Sequence, residues 1–285
     1  MHYTVQGAPL YAYTGGKAFD PTWPSVVFIH GVLNDHSVWL WQSRYLAHHG
    51  YNVLAIDLPG HGRSGGQAPG SVEQAAETVV ALLDAAGIAQ AALVGHSWGS
   101  LIALEAAARL GRRTSHLALV GTAFPMNVSP ALIEAAQHDP EAALRLVNQF
   151  SRSTLASPSG AGFWIYGTGM SLGRRVLRSN PQVNLFHRGF VACDSYTGGL
   201  QAIAALDCPV LFALGAQDQM TPPKAAQTLI EAARSAGTQI RVVHLPVGHH
   251  QMTEAPHETL AALHDFLQSQ PLSTPQGEPQ DKPHQ

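Results

Sequence analysis

Charge and cysteine are both scarce in this chain. Only 12% of its 285 residues are Asp, Glu, Lys or Arg, and 16 basic against 19 acidic side chains leave a net charge of -3 with histidine neutral. No basic excess exists to attract nucleic acid or an anionic membrane surface, so neither is expected as a partner and a small-molecule substrate fits the balance better. The cysteines, Cys193 and Cys208, are too few for a disulfide framework and lie at no metal-ligand spacing. No apolar run reaches the roughly 18 residues that span a bilayer. The N-terminus MHYTVQGAPLYAYTGG lacks the basic segment and apolar run of a signal peptide, so a cytoplasmic protein is expected. Histidine is plentiful, at 16 residues, but clusters such as His48-His49 or His244 with His249 and His250 have no helical i, i+4 partner with a carboxylate. No metal and no cofactor is expected.

Apolar residues, by contrast, make up 45% of the chain, enough for a sizeable core. Residues 2 to 6 and 10 to 14 alternate around Gly7-Ala8-Pro9 and predict an edge hairpin. Val26 to Ile29 is an unbroken run of the kind a strand buried on both faces needs, Tyr51 to Asp57 and the run from Ala91 read as further buried strands, and Leu117 to Val120, Pro209 to Gly215 and Ile240 to Leu245 as strands. Helical spacing separates them at Val38 to His49, after Ser71 with Gln74 completing a capping box, after Ser97, at Pro222 to Ser235, and at Glu254 to Gln268. Parallel strands need crossovers, so the alternation predicts an α/β fold: a mostly parallel twisted sheet with helices on both faces. The alternation stops between Ala123 and Ala205, where helical patches such as Ala131 to Phe150 and Gly/Ser-rich breaks predict an inserted, mainly helical cap. The core is then 1–122 with 206–270, the cap 123–205, and the proline- and glutamine-rich 271–285 a disordered tail.

The most constrained stretch is Gly95-His96-Ser97-Trp98-Gly99, where a buried strand ends and a helix begins at once. A turn that tight forces its central residue into strained backbone geometry, with glycines on both sides so that neighbouring chain can pass close. It lifts the serine hydroxyl clear of the sheet. Nucleophilic serine chemistry also needs a base, a group to orient the base, and donors for an oxyanion. Candidates follow at later strand ends: Asp218, which closes LFALGAQD, and His249 or His250 in the loop after RVVHL.

The series His30-Gly31, Asp57-Leu58-Pro59-Gly60-His61-Gly62-Arg63-Ser64, Gly95 to Gly99, Gly215-Ala216-Gln217-Asp218 and Gly248-His249 running to Glu254 resembles the α/β-hydrolase family over about residues 20 to 268. The resemblance implies Ser97 as nucleophile, Asp218 as acid and His249 as base, His249 being selected over His250 by its place after the glycine and five before the glutamate. The stretch Gly121 to Pro130, where some relatives carry the acid, holds no carboxylate. Asp218 also has a plainer reading, as a loop aspartate capping the helix near Thr221. The oxyanion donors implied are the backbone N–H groups of Val32 and Trp98. His30 and His96 read as structural, and Asp57 as fixing the loop after its strand.

The resemblance implies a cofactor-free serine hydrolase cleaving carboxylic esters of small, mainly apolar substrates. Carbon–carbon bond hydrolases, lactonases and perhydrolases share the pattern. Prolyl aminopeptidases are similar at Gly-His-Ser-Trp-Gly-Ser but carry HGGPG where this chain has His30-Gly31-Val32-Leu33-Asn34; haloalkane dehalogenases and epoxide hydrolases carry aspartate in place of Ser97. A ligand-binding receptor that retains the serine, histidine and acid is the alternative of another class. The cap aromatics Phe163, Trp164, Tyr166, Phe186, Phe190 and Tyr196 divide between a small core and a pocket; Trp164, Tyr166 and Phe190 are the pocket candidates, and Trp98 is expected to narrow the same space.

Overall fold

A computed structural model describes residues 1–153 and 165–269. Strands β1 (His2–Val5), β2 (Ala8–Tyr13), β3 (Ser25–Ile29), β4 (Asn52–Ile56), β5 (Ala91–His96), β6 (Thr114–Val120), β7 (Val210–Gly215) and β8 (Ile240–Leu245) form one sheet. Their order is β1-β2-β4-β3-β5-β6-β7-β8. β1 and β2 pair antiparallel, as do β2 and β4; every later pairing is parallel. The predicted α/β class with a mostly parallel sheet is therefore the observed one. The edge hairpin turns at Gln6-Gly7 rather than Gly7-Ala8-Pro9, because both residues take positive φ (50° and 80°), as a two-residue turn matched to strand twist requires.

Helices α1 (Leu40–Ala47), α2 (Val72–Ala85) and α3 (Trp98–Leu110) cross between the first strands, and α4 (Pro130–His138), α5 (Pro140–Phe150), α6 (Ile165–Ser179), α7 (Leu185–Asp194) and α8 (Gly199–Ala204) lie between β6 and β7. α9 (Gln227–Ser235), α10 (Gln251–Glu254) and α11 (Pro256–Leu267) complete the chain. Two continuous helical readings are broken, each by a proline that must take a first-turn position. Asp139 accepts from Ala142 N (2.9 Å) and caps α5 at Pro140, and Pro256 starts α11 afresh after α10. Ser71 does cap α2, accepting from Gln74 N at 3.2 Å, while the Gln74 side chain reaches back to Gly70 N at 2.8 Å.

One sheet face packs on α2, α3, α8 and α9 through residues such as Leu93, Leu101, Ile203 and Phe212; the other packs on α1 and α11 through Phe28, Trp39, Val94 and Phe266. β3 and β5 are buried along their whole length, which is why they read as unbroken apolar runs. Each fully buried large side chain contributes about 1.5–3 kcal/mol over its exposed state. A separate apolar cluster joins α4 to α7 through Ala136, Leu144, Met170, Phe186 and Phe190, and it reaches the sheet domain at Leu33. α8 and the neighbouring Tyr196 belong to the sheet's own packing instead: Tyr196 Oη donates to Glu105 of α3 at 2.8 Å. Residues 154–164, with Phe163 and Trp164, and the tail from 270 lie outside the described residues. No helix among those described is long and apolar enough to cross a membrane.

Candidate active site

Ser97 sits between β5 and α3 with φ 54° and ψ -122°, a conformation that costs an L-residue strain. The flanking glycines are there for space. A Cβ on Gly95 would overlap the Gly99 carbonyl, and one on Gly99 would overlap the Ile29 and His30 carbonyls. All of these obstacles are backbone and cannot yield. From Ala91 to Leu104 every residue is buried except Ser97, so the turn does present this one side chain to solvent. A second strained residue lies nearby: Leu33, in the turn after β3, has φ 55°. The Gly31 position between them is tight, since a Cβ there would stand 3.2 Å from Ser97 Cβ.

Asp218 and His249 follow β7 and β8 and meet directly, Asp218 Oδ2 accepting from His249 Nδ1 at 2.8 Å. This contact is made by His249 and not by its neighbour His250, whose side chain faces a cavity instead. With Nδ1–H committed to the carboxylate, Nε2 is left as the basic nitrogen. Both readings of Asp218 apply to one side chain. Its Oδ1 accepts from the N–H groups of Met220 and Thr221, each at 2.8 Å, so the loop fixes the carboxylate that holds the histidine. The Thr221 hydroxyl donates to Oδ2 (2.8 Å) and stands 3.0 Å from His249 Nδ1. Burial by itself would raise the Asp218 carboxyl, but the facing His249 and these hydrogen bonds outweigh it and hold the group below the usual carboxylate range. No hydrogen bond joins Ser97 to His249 among the described residues, a looseness common in sites without substrate.

The surrounding histidines are structural. His30 donates from Nδ1 to the Gly31 carbonyl (2.8 Å) and accepts at Nε2 from Leu58 N (3.1 Å), so both ring nitrogens are used by the neutral form. His96 donates from Nε2 to the His249 carbonyl at 2.8 Å, tying the residue before Ser97 to the loop that carries His249. Burial, reinforced by His249, pushes His96 down to about 3. Asp57 accepts from the backbone N–H of His36 (2.8 Å) and Arg63 (2.9 Å), so it fixes two loops after β3 and β4. Asp35, His36 and Asp57 are close enough to share an ion, but their oxygens already serve these loops and Arg175.

The backbone N–H groups of Val32 and Trp98 donate to no acceptor among the described residues. The Trp98 side chain corrects an expectation. It is 1% exposed and packs within the sheet's core beside His61, because the first position of α3 faces inward, so it does not narrow a pocket. Tyr166 and Phe190 pack with the α4–α7 cluster, Phe190 against Phe186 with ring centroids 4.8 Å apart. A cavity of about 480 Å³ lies between this cluster and the sheet domain, with Val32, Leu33, Leu144, Phe186, Arg152 and His250 among its walls; neither Tyr166 nor Phe190 lines it.

Glu254 has a specific job that motif spacing only marks. It accepts from Ser153 N (2.8 Å) and His250 N (3.3 Å), and so joins the His249 loop to the end of α5. Thr221 could have been noticed from its place three residues after an aspartate, the spacing of an Asx-type turn. Arg152 carries no sequence signal.

The model of the alpha/beta hydrolase fold family matches residues 24–256. Among curated proteins, the chain is similar to the dihydrolipoyllysine-residue acetyltransferase component of the acetoin cleaving system of Pseudomonas putida, 38% identical over 110 residues that cover 38% of this chain and 28% of that protein. It is also similar to an epoxide hydrolase of Caballeronia sordidicola, 37% identical over 128 residues, 44% of this chain and 34% of that protein. The chain thus spans about a third or less of the length of these relatives. Among solved structures, the enol-lactonase from Burkholderia xenovorans LB400 superposes with a TM-score of 0.78 at 23% identity, covering 94% of this chain and 100% of that one, a likeness of fold.

Proposed function

The chain belongs to the alpha/beta hydrolase fold family, and from that premise we propose that it is a serine hydrolase cleaving carboxylic esters of small, mainly apolar substrates. The observation that carries the reading is the occurrence together of a strained, half-buried serine at the end of β5 and, in the loop after β8, a histidine whose Nδ1 is held by a buried carboxylate. In the mechanism, Ser97 Oγ attacks the ester carbonyl while His249 Nε2 takes its proton. The developing oxyanion is met by the N–H groups of Val32 and Trp98; losing one such donor typically costs about 3–4 kcal/mol. Collapse of the tetrahedral intermediate breaks the bond to the alcohol oxygen, which leaves with the proton from His249. Water, deprotonated by His249, then attacks the acyl-enzyme and regenerates the Ser97 hydroxyl. Asp218 keeps the imidazole in the tautomer both steps require.

A serine at position 97 also separates this chain from the epoxide hydrolase reading, because the resemblance places an aspartate there in those enzymes. The test is hydrolysis of p-nitrophenyl esters of increasing acyl length by the parent and by Ser97→Ala. The substitution is expected to lower kcat by about a million-fold. Retention of most of the activity in Ser97→Ala would contradict the mechanism, and tight ligand binding without turnover by the parent would favour a receptor.

A further inference from the structure

Arg152 lies just after α5 in the wall of the 480 Å³ cavity. Among the described residues it makes one side-chain hydrogen bond, from Nη1 to Thr253 Oγ1 at 3.3 Å, and its Nε is buried without an acceptor. A guanidinium carries five donors and is costly to bury without an anion. The nearby carboxylate, Glu254, already accepts the backbone N–H groups of Ser153 and His250 on its two oxygens, and it forms no ion pair with Arg152. The other arginine in the cavity wall is satisfied: Arg175 donates to Asp35 Oδ2 (2.6 Å) and Ser37 Oγ (2.9 Å). Burial depresses Arg152 to about 10, which still leaves it charged at neutral pH.

The site is shaped to keep this cation in place. A Cβ on Gly169 of α6 would meet Arg152 Nη2 at 2.9 Å and overlap Asn148, so the absence of a side chain there leaves room for the guanidinium. Val32, Leu33, Leu144 and Phe186 supply an apolar part of the wall, and Asn34, Ser37, Asn148 and His257 are among its polar members. It begins at the turn that carries the Val32 N–H and passes His250, the neighbour of His249. Ser97 and His249 are not themselves in its wall, which comes up to them through Val32 and His250, so a ligand filling it needs an apolar body with one anion at Arg152 and must extend past Val32 to reach Ser97.

We propose that this cavity is the substrate site and that Arg152 recognises a carboxylate on the substrate, making the preferred substrates esters that carry one free carboxylate. The assignment rests on the serine-hydrolase reading for the reacting end only; carboxylate binding at Arg152 stands by itself. The carboxylate belongs either to the acyl part or to the alcohol part, and the two are distinguishable.

The acyl arm compares the mono-p-nitrophenyl ester of adipic acid with p-nitrophenyl hexanoate. The alcohol arm compares the hexanoyl ester of 4-hydroxybutanoate with butyl hexanoate. One carboxylate-bearing ester is expected to exceed its neutral counterpart in kcat/KM by about 10–100-fold, the range of a hydrogen bond to a charged group. That ratio is expected to fall to near 1 in Arg152→Gln and to recover in part in Arg152→Lys. Calorimetry on Ser97→Ala with monomethyl adipate and with the 4-hydroxybutanoate hexanoyl ester gives a readout without turnover; one of them should bind, and Arg152→Gln in that background should abolish it.

Hydrolysis without any carboxylate preference and without Arg152-dependent binding would overturn this assignment and leave the serine-hydrolase reading standing. Arg152-dependent binding with no hydrolysis of any ester would do the reverse. A preference that survives Arg152→Gln would likewise refute the role of Arg152.

Discussion

The loops at the ends of β5, β7 and β8 and the helical layer of α4 to α7 are built under different rules. At the strand ends, backbone meets backbone: Gly99 leaves no room for a Cβ beside the Ile29 and His30 carbonyls, and Asp218 is fixed by two N–H groups of its own loop. In the helical layer, side chain meets side chain. A Cβ on Gly189 of α7 would have the Val32 side chain as its nearest neighbour, with the methyl groups at 3.0–3.1 Å. Rigid contacts of the first kind hold a reacting geometry and tolerate few residue types, whereas contacts of the second kind accept many apolar residues and so leave the layer free to vary in what it encloses.

The largest effect that would test this contrast is catalytic. Asp218→Asn keeps the side chain's shape but removes the charge and permits the wrong histidine tautomer, so kcat for ester hydrolysis should drop by about ten thousand-fold. A drop under tenfold, measured by steady-state kinetics, would mean that the loop does not serve the histidine.

Next in size is stability. Gly99→Ala should cost more than about 4 kcal/mol, because backbone at both contacts must move, and should reduce soluble yield. Gly189→Ala should lie within about 1 kcal/mol of the parent, since helix propensity favours alanine and the Val32 side chain can shift. Urea denaturation of the two variants compares them directly, and equal losses would erase the distinction.

The smallest effect concerns pH. Burial depresses His30, and pushes His61 and His96 to about 3, so these rings stay neutral in the folded protein. The unfolded chain takes up protons below its histidine pKa of about 6.5. Stability is therefore complete above that value and falls as pH drops from about 6.5 toward 3, each ring contributing up to about 1.4 kcal/mol per pH unit. Thermal melts from pH 7 to pH 5 should show a falling Tm, with a shallower slope in His61→Asn. A Tm that does not change across that range would contradict the buried-neutral assignment.

The same contrast explains what could be read in the sequence. Gly95 and Gly99 are legible because steric necessity admits one residue type, and β3, β5 and β7 are legible because burial along their whole length leaves a nearly unbroken apolar run. The meeting of Asp218 with His249 follows from their order at successive strand ends. The direction of the Trp98 side chain does not, since it depends on how α3 docks on the sheet and not on the turn before it. The break between α4 and α5 was written in Asp139-Pro140 but is masked by continuous helical spacing. Arg152 could not be found at all: a lone cation becomes informative only when the fold shows that, among the described residues, no carboxylate pairs with it.

The central claim, that Ser97 is an activated nucleophile, is tested most directly by a serine-directed fluorophosphonate probe followed by peptide mass spectrometry. The account predicts a single modification on the peptide containing Ser97 in the parent and none in Ser97→Ala; a parent left unlabelled, or a Ser97→Ala protein labelled as fast as the parent, would contradict it.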